Sequence, residues 1–446
     1  MQETHTELLE KAPVKPALLR LGIPAMTGML ISTVYNLVDA FFIGTLGTLQ
    51  TAAVTVVYPL TMVAMGVGLL FGNGAGSNIS RLLGKKDAEQ VGAFSSTAIL
   101  SGVAVMAVLA VGMLLFLKPL MYALGASRSS YGFARDYGIL YIIGLIFNVF
   151  NMIMNNLIAA EGVSSFGMFA MLAGGCANLV LDPIFIFACG WGVGGAAAAT
   201  LLSRLVSSAF YIGYLLRGKS CLRVSVRRFR PNGKLYATIF RIGLPVCLFQ
   251  FLAGAAVTLT NNAAKPFGEA AVAAMGIVNR IMSIETNALY GFLKGYSPLV
   301  GYSYGAGDLA RVREATRTAA RWSTAANILF GVICIVLAGP LIHLFNQSSA
   351  QVLSIGSAAL RVDAVSFMLL GVQIVIGNYF LATGKARQGG MLSVFRQGLF
   401  FIPFLLVLSR LWGIPGMIGA QLAADVCATL LTLALWKKER ALLPAA

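Results

Sequence analysis

Asn178 and Asp182 stand four residues apart in an apolar run, and Pro183 follows them. Residues at that spacing share one face of a helix. Proline has no N–H, so the carbonyl of Leu179 loses its usual helical donor. A carboxylate, an amide and a freed carbonyl then converge, all oxygen donors of the kind that suits a hard cation. The same carboxylate can instead carry a proton. Ser32, Tyr35, Asn36 and Asp39 form a second polar stripe, spaced by three and four, on an earlier apolar stretch. Thr200 adds a hydroxyl nearby in sequence, although a helical threonine often bonds its own backbone. Glu285, Lys294, Arg204, Asp363, Arg396 and Asp425 also fall inside or near apolar runs. A charge at the bilayer centre costs roughly 2.5–3.5 kcal/mol on insertion scales, so each of these marks a cavity or a partner. Glu285 and Lys294 are nine residues apart, which turns them to opposite sides of an ideal helix and argues against an ion pair between them.

The elements that position these groups are apolar helices. Of 446 residues, 58% are hydrophobic and only 11% charged, against about 25% charged in soluble domains. Mean hydropathy is +0.81. A soluble fold cannot hide that much apolar surface, whereas a bilayer removes the need to. Apolar stretches near 17–43, 52–79, 92–117, 135–159, 167–189, 193–216, 236–263, 271–300, 319–339, 358–382, 389–409 and 414–436 are each long enough to span. The expected fold is therefore all-α and integral to the membrane, with twelve transmembrane helices in two pseudo-symmetric six-helix lobes. The expected division is a first lobe at 1–216, a basic connecting loop at 217–235 and a second lobe at 236–446.

The two lobes are copies. Leu19-Arg-Leu-Gly-Ile-Pro24 recurs as Phe240-Arg-Ile-Gly-Leu-Pro245, about 221 positions on. The offset also pairs Gly47 with Gly268, Gly74 with Gly295, Gly84 with Gly305, Asp87 with Asp308, Pro119 with Pro340 and Trp191-Gly192 with Trp412-Gly413. Ala159-Ala-Glu-Gly162 matches Leu381-Ala-Thr-Gly384, one position further on. Six spans per copy give both copies one orientation, a parallel repeat with a cleft between the lobes. The acids break the symmetry. Asp39 maps onto Thr260, and no register places an acid opposite Asp182.

The net charge of +17 would suit nucleic acid, but its placement argues for topology. Most Lys and Arg lie in the N-terminal lead-in, in every second loop and in the tail: Lys11/Lys15/Arg20, Arg81/Lys85/Lys86, Arg217 to Lys234, Arg311 to Arg321, Lys385/Arg387 and Lys437/Lys438/Arg440. By the positive-inside rule both termini are cytoplasmic and the chain is a multi-pass protein of the cell membrane. The 217–234 cluster can also meet anionic headgroups. No nucleic-acid partner is expected, and the chain is expected to act as a monomer. The start, with Glu3, Glu7 and Glu10, does not read as a cleavable signal. Six cysteines show no metal-ligand spacing, and Cys176, Cys247 and Cys334 are expected to pack in apolar surroundings. His5 and His343 form no cluster.

Four local patterns, in order, resemble the multidrug and toxic-compound extrusion (MATE) family of the MOP flippase superfamily, in its bacterial multidrug branch. They are Tyr35-Asn-Leu-Val-Asp39-Ala-Phe-Phe-Ile-Gly44, Ser80-Arg-Leu-Leu-Gly-Lys-Lys-Asp87, Asn178-Leu-Val-Leu-Asp182-Pro183 and Gly194-Gly-Ala-Ala-Ala-Ala-Thr200. The resemblance covers nearly the whole chain. It implies that Asp39, Asn178, Asp182, Thr200 and Tyr35 line a first-lobe cavity that couples to H+ or Na+. A sodium ion would sit at Asp39, Asn178, Asp182 and Thr200, and no other metal or cofactor is expected. Asn151 and Asn155 become substrate-cavity residues by the same analogy, and Asn36 is expected there from its place in the polar stripe. Glu285 and Lys294 join them on the residue reading.

The implied substrates are small, amphipathic and cationic drugs or toxic organic compounds, which suit an apolar cavity with a few carboxylates. One departure bears on that. Many relatives carry two glutamines in the segment that reads Gly291-Phe-Leu-Lys294-Gly295-Tyr296-Ser297-Pro298 here. A lysine facing the cleft opposes a cationic substrate and favours an anionic or zwitterionic one. The implied function is alternating-access antiport and no enzymatic activity. One Gly-x-x-x-x-Gly-Lys-Ser match occurs, at 213–220, but it closes an apolar helical stretch instead of opening a helix after a strand, so ATP is not the expected driver. A lipid-linked oligosaccharide flippase is the alternative, given footing by Lys294, Arg204 and Arg280. A channel or receptor is a weaker one, since channels repeat their filter residues around a pore.

Overall fold

The computed structural model describes residues 3–218, 220–346 and 349–441, with the side chains of 3–6, 35–37, 40, 41 and 48 outside the described set. Helices account for nearly all of it. A short α1 (Glu3–Glu10) precedes α2 (Val14–Gly44), α3 (Thr48–Gly84), α4 (Ala88–Leu115), the short α5 (Leu117–Ala123), α6 (Tyr131–Ala160), α7 (Ser164–Pro183) and α8 (Gly192–Leu216). The second half runs α9 (Gly233–Ala264), α10 (Glu269–Gly305), α11 (Leu309–Val336), the short α12 (Ala338–Phe345), α13 (Ala350–Ala382), α14 (Ala386–Val394) and α15 (Ile402–Arg440). Ten of these segments are long and apolar enough to cross a membrane by composition alone. Helix α10 is not among them because its polar and charged side chains dilute its hydropathy. The segment 386–440 counts once although Gly413, at φ 60°, divides it into two helices. With α10 added and that segment split, twelve spans result, six to each half.

The repeat landmarks have physical duties. Asp87 and Asp308 are the N-caps of α4 and α11, each accepting from a backbone N–H in the first turn, that of Gln90 at 3.1 Å and that of Arg311 at 2.9 Å. Gly192 and Gly413 both hold positive φ, 53° and 60°, where a side chain would be strained. Gly84 and Gly305 let the lobes touch. A Cβ on Gly84 would strike the carbonyl oxygen of Tyr302, and one on Gly305 that of Arg81. Pro119 and Pro340 sit inside the short helices α5 and α12.

Each lobe has its own apolar core, one running from Ile43 to Ile239 and the other from Ala256 to Ala424. A third cluster joins Leu9, Leu18 and Leu21 to Leu293, Tyr296 and Tyr379. Thus the beginning of α2 packs into the second lobe, and Ile239 at the beginning of α9 packs into the first. The lobes meet through α2 with α10, α3 with α9 and α3 with α10. The ties between them lie from mid-height to the end that carries the basic loops. They include Asn287 Nδ2 to Thr33 Oγ1 (3.1 Å), Lys294 Nζ to Asn155 Oδ1 (2.7 Å) and Ser77 Oγ to the Leu381 carbonyl (2.7 Å). On the other halves of α2, α9 and α10 a Cβ on Gly44, Gly254 or Gly276 would meet nothing within 4 Å among the described residues. The cysteine expectation needs correcting in part. Cys334 is buried, but Cys176 lies on the outside of the bundle, where lipid rather than protein covers an apolar side chain.

Candidate functional site

The first lobe gathers its polar groups in one place. Asn178 and Asp182 share a face of α7 as their spacing requires, and Asn178 Nδ2 donates to Asp182 Oδ1 at 3.1 Å. Both are buried, at 4% and 1% exposure. After Pro183 the chain continues as a π-helical stretch, Ile184–Ala188, before α8 begins. Such bulges occur where a helix interior is interrupted, often at functional sites. Asp39, from α2, meets Asp182 as a side-chain hydrogen-bonding neighbour, and Arg204 of α8 is the cation that acts on Asp39. Two ionised carboxylates have no donor between them, so such a contact is held by a proton or bridged by a cation. Asp39 Oδ1 and Arg204 Nη1 are both buried and make no hydrogen bond among the described residues. The Arg204 guanidinium lies over the Tyr141 ring, 4.6 Å from its centroid. Tyr141 stacks on Tyr137 at 5.1 Å and shares a 2.7 Å hydrogen bond with Thr61.

Arg204 was legible only as a charge near an apolar run. The structure places it against the acid pair, one turn beyond Thr200 on α8. That i,i+4 spacing from Thr200 is the sequence signal that could have found it. Thr200 itself is half-buried, and its backbone carbonyl accepts from Ser203 Oγ at 2.8 Å. Tyr35 and Asn36 fall on side chains outside the described residues.

The expected substrate residues divide. Asn151 is engaged inside the first lobe. Its Nδ2 donates to the Arg204 carbonyl (2.9 Å), and its Oδ1 accepts from Ser208 Oγ (2.8 Å). Both ends of the amide therefore join α6 to α8 inside the lobe and leave little for a substrate. Asn155, one turn on, accepts from Lys294 across the lobe interface. Glu285 is separated from Lys294, as their spacing requires, and acts electrostatically on Cys334 of α11.

The second lobe carries a polar cluster of its own. Arg396 Nε bonds Asp425 Oδ1 at 2.6 Å, Ser366 Oγ and Gln421 Nε2 also donate to that carboxylate, and Asp363 stands within electrostatic reach. Asp425 is fully buried and is the repeat equivalent of Arg204. In the first lobe an arginine on the sixth span serves acids on other helices. In the second an aspartate on the twelfth serves an arginine, so the charges have exchanged helices.

One further buried acid escaped the sequence reading. Glu161, in the turn between α6 and α7, is fully buried. It accepts from Tyr214 OH (2.6 Å), Ser220 Oγ (2.9 Å) and the Cys221 N–H (2.9 Å), pinning the start of the connecting loop. Burial pushes its carboxyl up to about 7, and the three donors pull only partly against that. The folded protein therefore holds this proton to higher pH than the unfolded chain, whose carboxyl titrates near 4.5. Stability from this group is complete at low pH and falls as pH rises from about 4.5 through about 7, by at most about 3 kcal/mol. Thermal midpoints of the purified protein between pH 5 and pH 8 should show that slope, and Glu161→Gln should flatten it. An unchanged slope in the variant would assign it elsewhere.

Comparison with known proteins places this arrangement. The MatE family model matches residues 24–184 and 245–407, once in each lobe. The chain is 29% identical to the multidrug export protein MepA of Staphylococcus saprophyticus over 96% of its length and 95% of that protein's. It is equally identical, with the same coverage, to MepA of Staphylococcus aureus strain N315. A solved structure described as the outward-facing conformation of a multidrug resistance MATE family transporter of the MOP superfamily superposes with a TM-score of 0.90, covering 98% of both chains at 27% identity. With both lobes matched and twelve spans in two equivalent sets, this chain belongs to the MatE family, the multidrug and toxic-compound extrusion transporters.

Proposed function

We propose that this protein is a secondary active antiporter that expels small amphipathic compounds in exchange for an inward-moving H+ or Na+. The observation that carries this reading is the Asp39–Asp182 contact. Two carboxyl groups from different helices of one lobe meet in a buried place, with one carboxylate oxygen unpartnered among the described residues. Such a pair changes its charge when a cation arrives, and it exists in one repeat only. Two similar lobes give the rocking frame, and the unrepeated acids give it something to sense. MepA relatives named for multidrug export, matched over nearly their full length, support the direction of transport.

The basic loops and both termini share one end, which the positive-inside rule assigns to the cytoplasm. The lobes are sealed at that end, so the cleft opens outward in this state. A cation reaching Asp39 and Asp182 from outside would neutralise the pair, let α2 repack and allow the lobes to rock. A single chain supplies both lobes and the cleft, so the transporter works as a monomer, and nucleic acid has no part in it. The flippase reading loses a support, because Arg204 faces the acids inside the first lobe and is not free to meet a pyrophosphate.

Proteoliposomes loaded with an amphipathic dye, with proton and sodium gradients imposed separately, test the reading. Dye movement against its own gradient is expected with one cation and not the other. Equal, purely downhill movement under every condition would reject antiport.

A further inference from the structure

Lys294 is a half-buried cation with no anion beside it among the described residues. It lies on α10 of the second lobe, and its Nζ donates to Asn155 Oδ1 on α6 of the first at 2.7 Å. Asn155 is held in place from the other side, its Nδ2 donating to Tyr211 OH (3.1 Å) and to Met171 Sδ (3.4 Å). An ammonium has three donors, and among the described residues this contact is the hydrogen bond that Lys294 makes. No carboxylate among those residues stands within ion-pairing distance of it. A charge kept in the membrane without a partner is costly and marks function.

A cavity of about 10 Å³, room for no more than one water, lies beside it between the lobes, lined by Met29, Asn155, Ser164, Met168, Met171 and Lys294 among others. Ser164 is only 5% exposed, and its Oγ has no hydrogen-bond partner. Unspent donors thus converge on this cavity, from the ammonium and the hydroxyl, and no acid lines it. The remaining wall includes three thioethers, which adapt to varied apolar shapes. The coupling acids lie elsewhere, inside the first lobe beside Arg204, and Glu285 faces α11.

We propose that this place, widened when the lobes part, seats an anionic group. The substrate class is an amphipathic organic anion whose carboxylate, sulfonate or phosphate takes the spare donors of Lys294 and the Ser164 hydroxyl, with its apolar body against Met29, Met168 and Met171. The proposal rests on the efflux reading above and departs from the cationic substrates that the family resemblance implies. A soluble anion and an anionic lipid headgroup present the same chemistry here.

The test is equilibrium binding, which needs no gradient and so is independent of coupling. Protein in phosphatidylcholine nanodiscs is titrated with carboxyfluorescein and with ethidium, read by anisotropy. Wild type should bind the anion more tightly. Lys294→Gln, whose amide can still donate to Asn155 and so keep the tie between lobes, should weaken the anion roughly 10- to 100-fold and improve ethidium. Lys294→Arg should stay close to wild type. Adding phosphatidylglycerol to the disc separates the sources: competition assigns the site to a lipid headgroup, and unchanged dye binding assigns it to soluble anions. Equal anion binding by wild type and Lys294→Gln, or tighter ethidium than anion in wild type, overturns the proposal. Anion binding without gradient-driven transport would overturn antiport and leave this site standing.

Discussion

Asp39→Asn and Asp182→Asn should each stop uphill efflux while leaving expression, folding and equilibrium dye binding intact. Asparagine keeps the size and the hydrogen-bonding shape of aspartate but cannot change charge. The driving force enters through that charge change. Each elementary charge moved inward supplies about 2.3 kcal/mol per 100 mV, enough to sustain a substrate concentration ratio of roughly fifty. A variant that cannot take up and release the cation loses the whole ratio, and its dye gradient should collapse towards one. The loss should be as large for Asp182 as for Asp39, because the two side chains meet directly and neither holds the site alone. The environment strengthens the expectation. Arg204 already contributes one fixed positive charge beside the pair, so removing one acid takes the ionised site from a net charge of −1 to zero and leaves no net negative charge to draw a cation. Uphill efflux at the wild-type rate by both variants, measured in the same proteoliposomes, would sink the mechanism.

How much of this was readable beforehand follows from what periodicity reports. Apolar runs gave twelve spans because hydropathy integrates over about twenty residues, and the stretch 271–300 was among them even though the charges of α10 dilute its apolar signal. The i,i+4 rule placed Asn178 and Asp182 on one face and separated Glu285 from Lys294, since both are properties of a single helix. Partners on other helices are set by packing, to which helical spacing is blind. Spacing alone could not show that Arg204 faces Asp39, that Arg396 ends on Asp425, or that both ends of the Asn151 amide are occupied by α8. Glu161 was invisible for a related reason. It looked like an ordinary acid in a loop, and only the fold brings Tyr214, Ser220 and Cys221 around it. The glycine pairs were seen as landmarks of a repeat, and their duty became clear only when the lobes were placed against each other.

That duty leads to the second large effect, Gly305→Val. The end of α10 touches the end of α3 backbone to backbone. A Cβ at Gly305 would strike the Arg81 carbonyl, and one at the equivalent Gly84 would strike that of Tyr302. A flexible side chain could turn away from such a collision, but main chain held in two packed helices yields only if the lobes separate. Overpacking even a side-chain core costs about 1–3 kcal/mol, and 3 kcal/mol shifts a two-state equilibrium roughly 150-fold. The variant should therefore fold, since each lobe keeps its own core, but lose the state sealed at the basic end. Spin labels at Lys86 and Asp308, on the two lobes at that end, should report a longer and broader distance, and alternating transport should fall by more than about tenfold. Gly84→Val should reproduce this from the other lobe, as the pseudo-symmetry requires. Gly276→Ala, on the same α10 where a Cβ meets nothing within 4 Å, should leave both readouts unchanged. A wild-type distance distribution in Gly305→Val would mean that the seal does not depend on this contact, and the lobes would then have to close by some other surface.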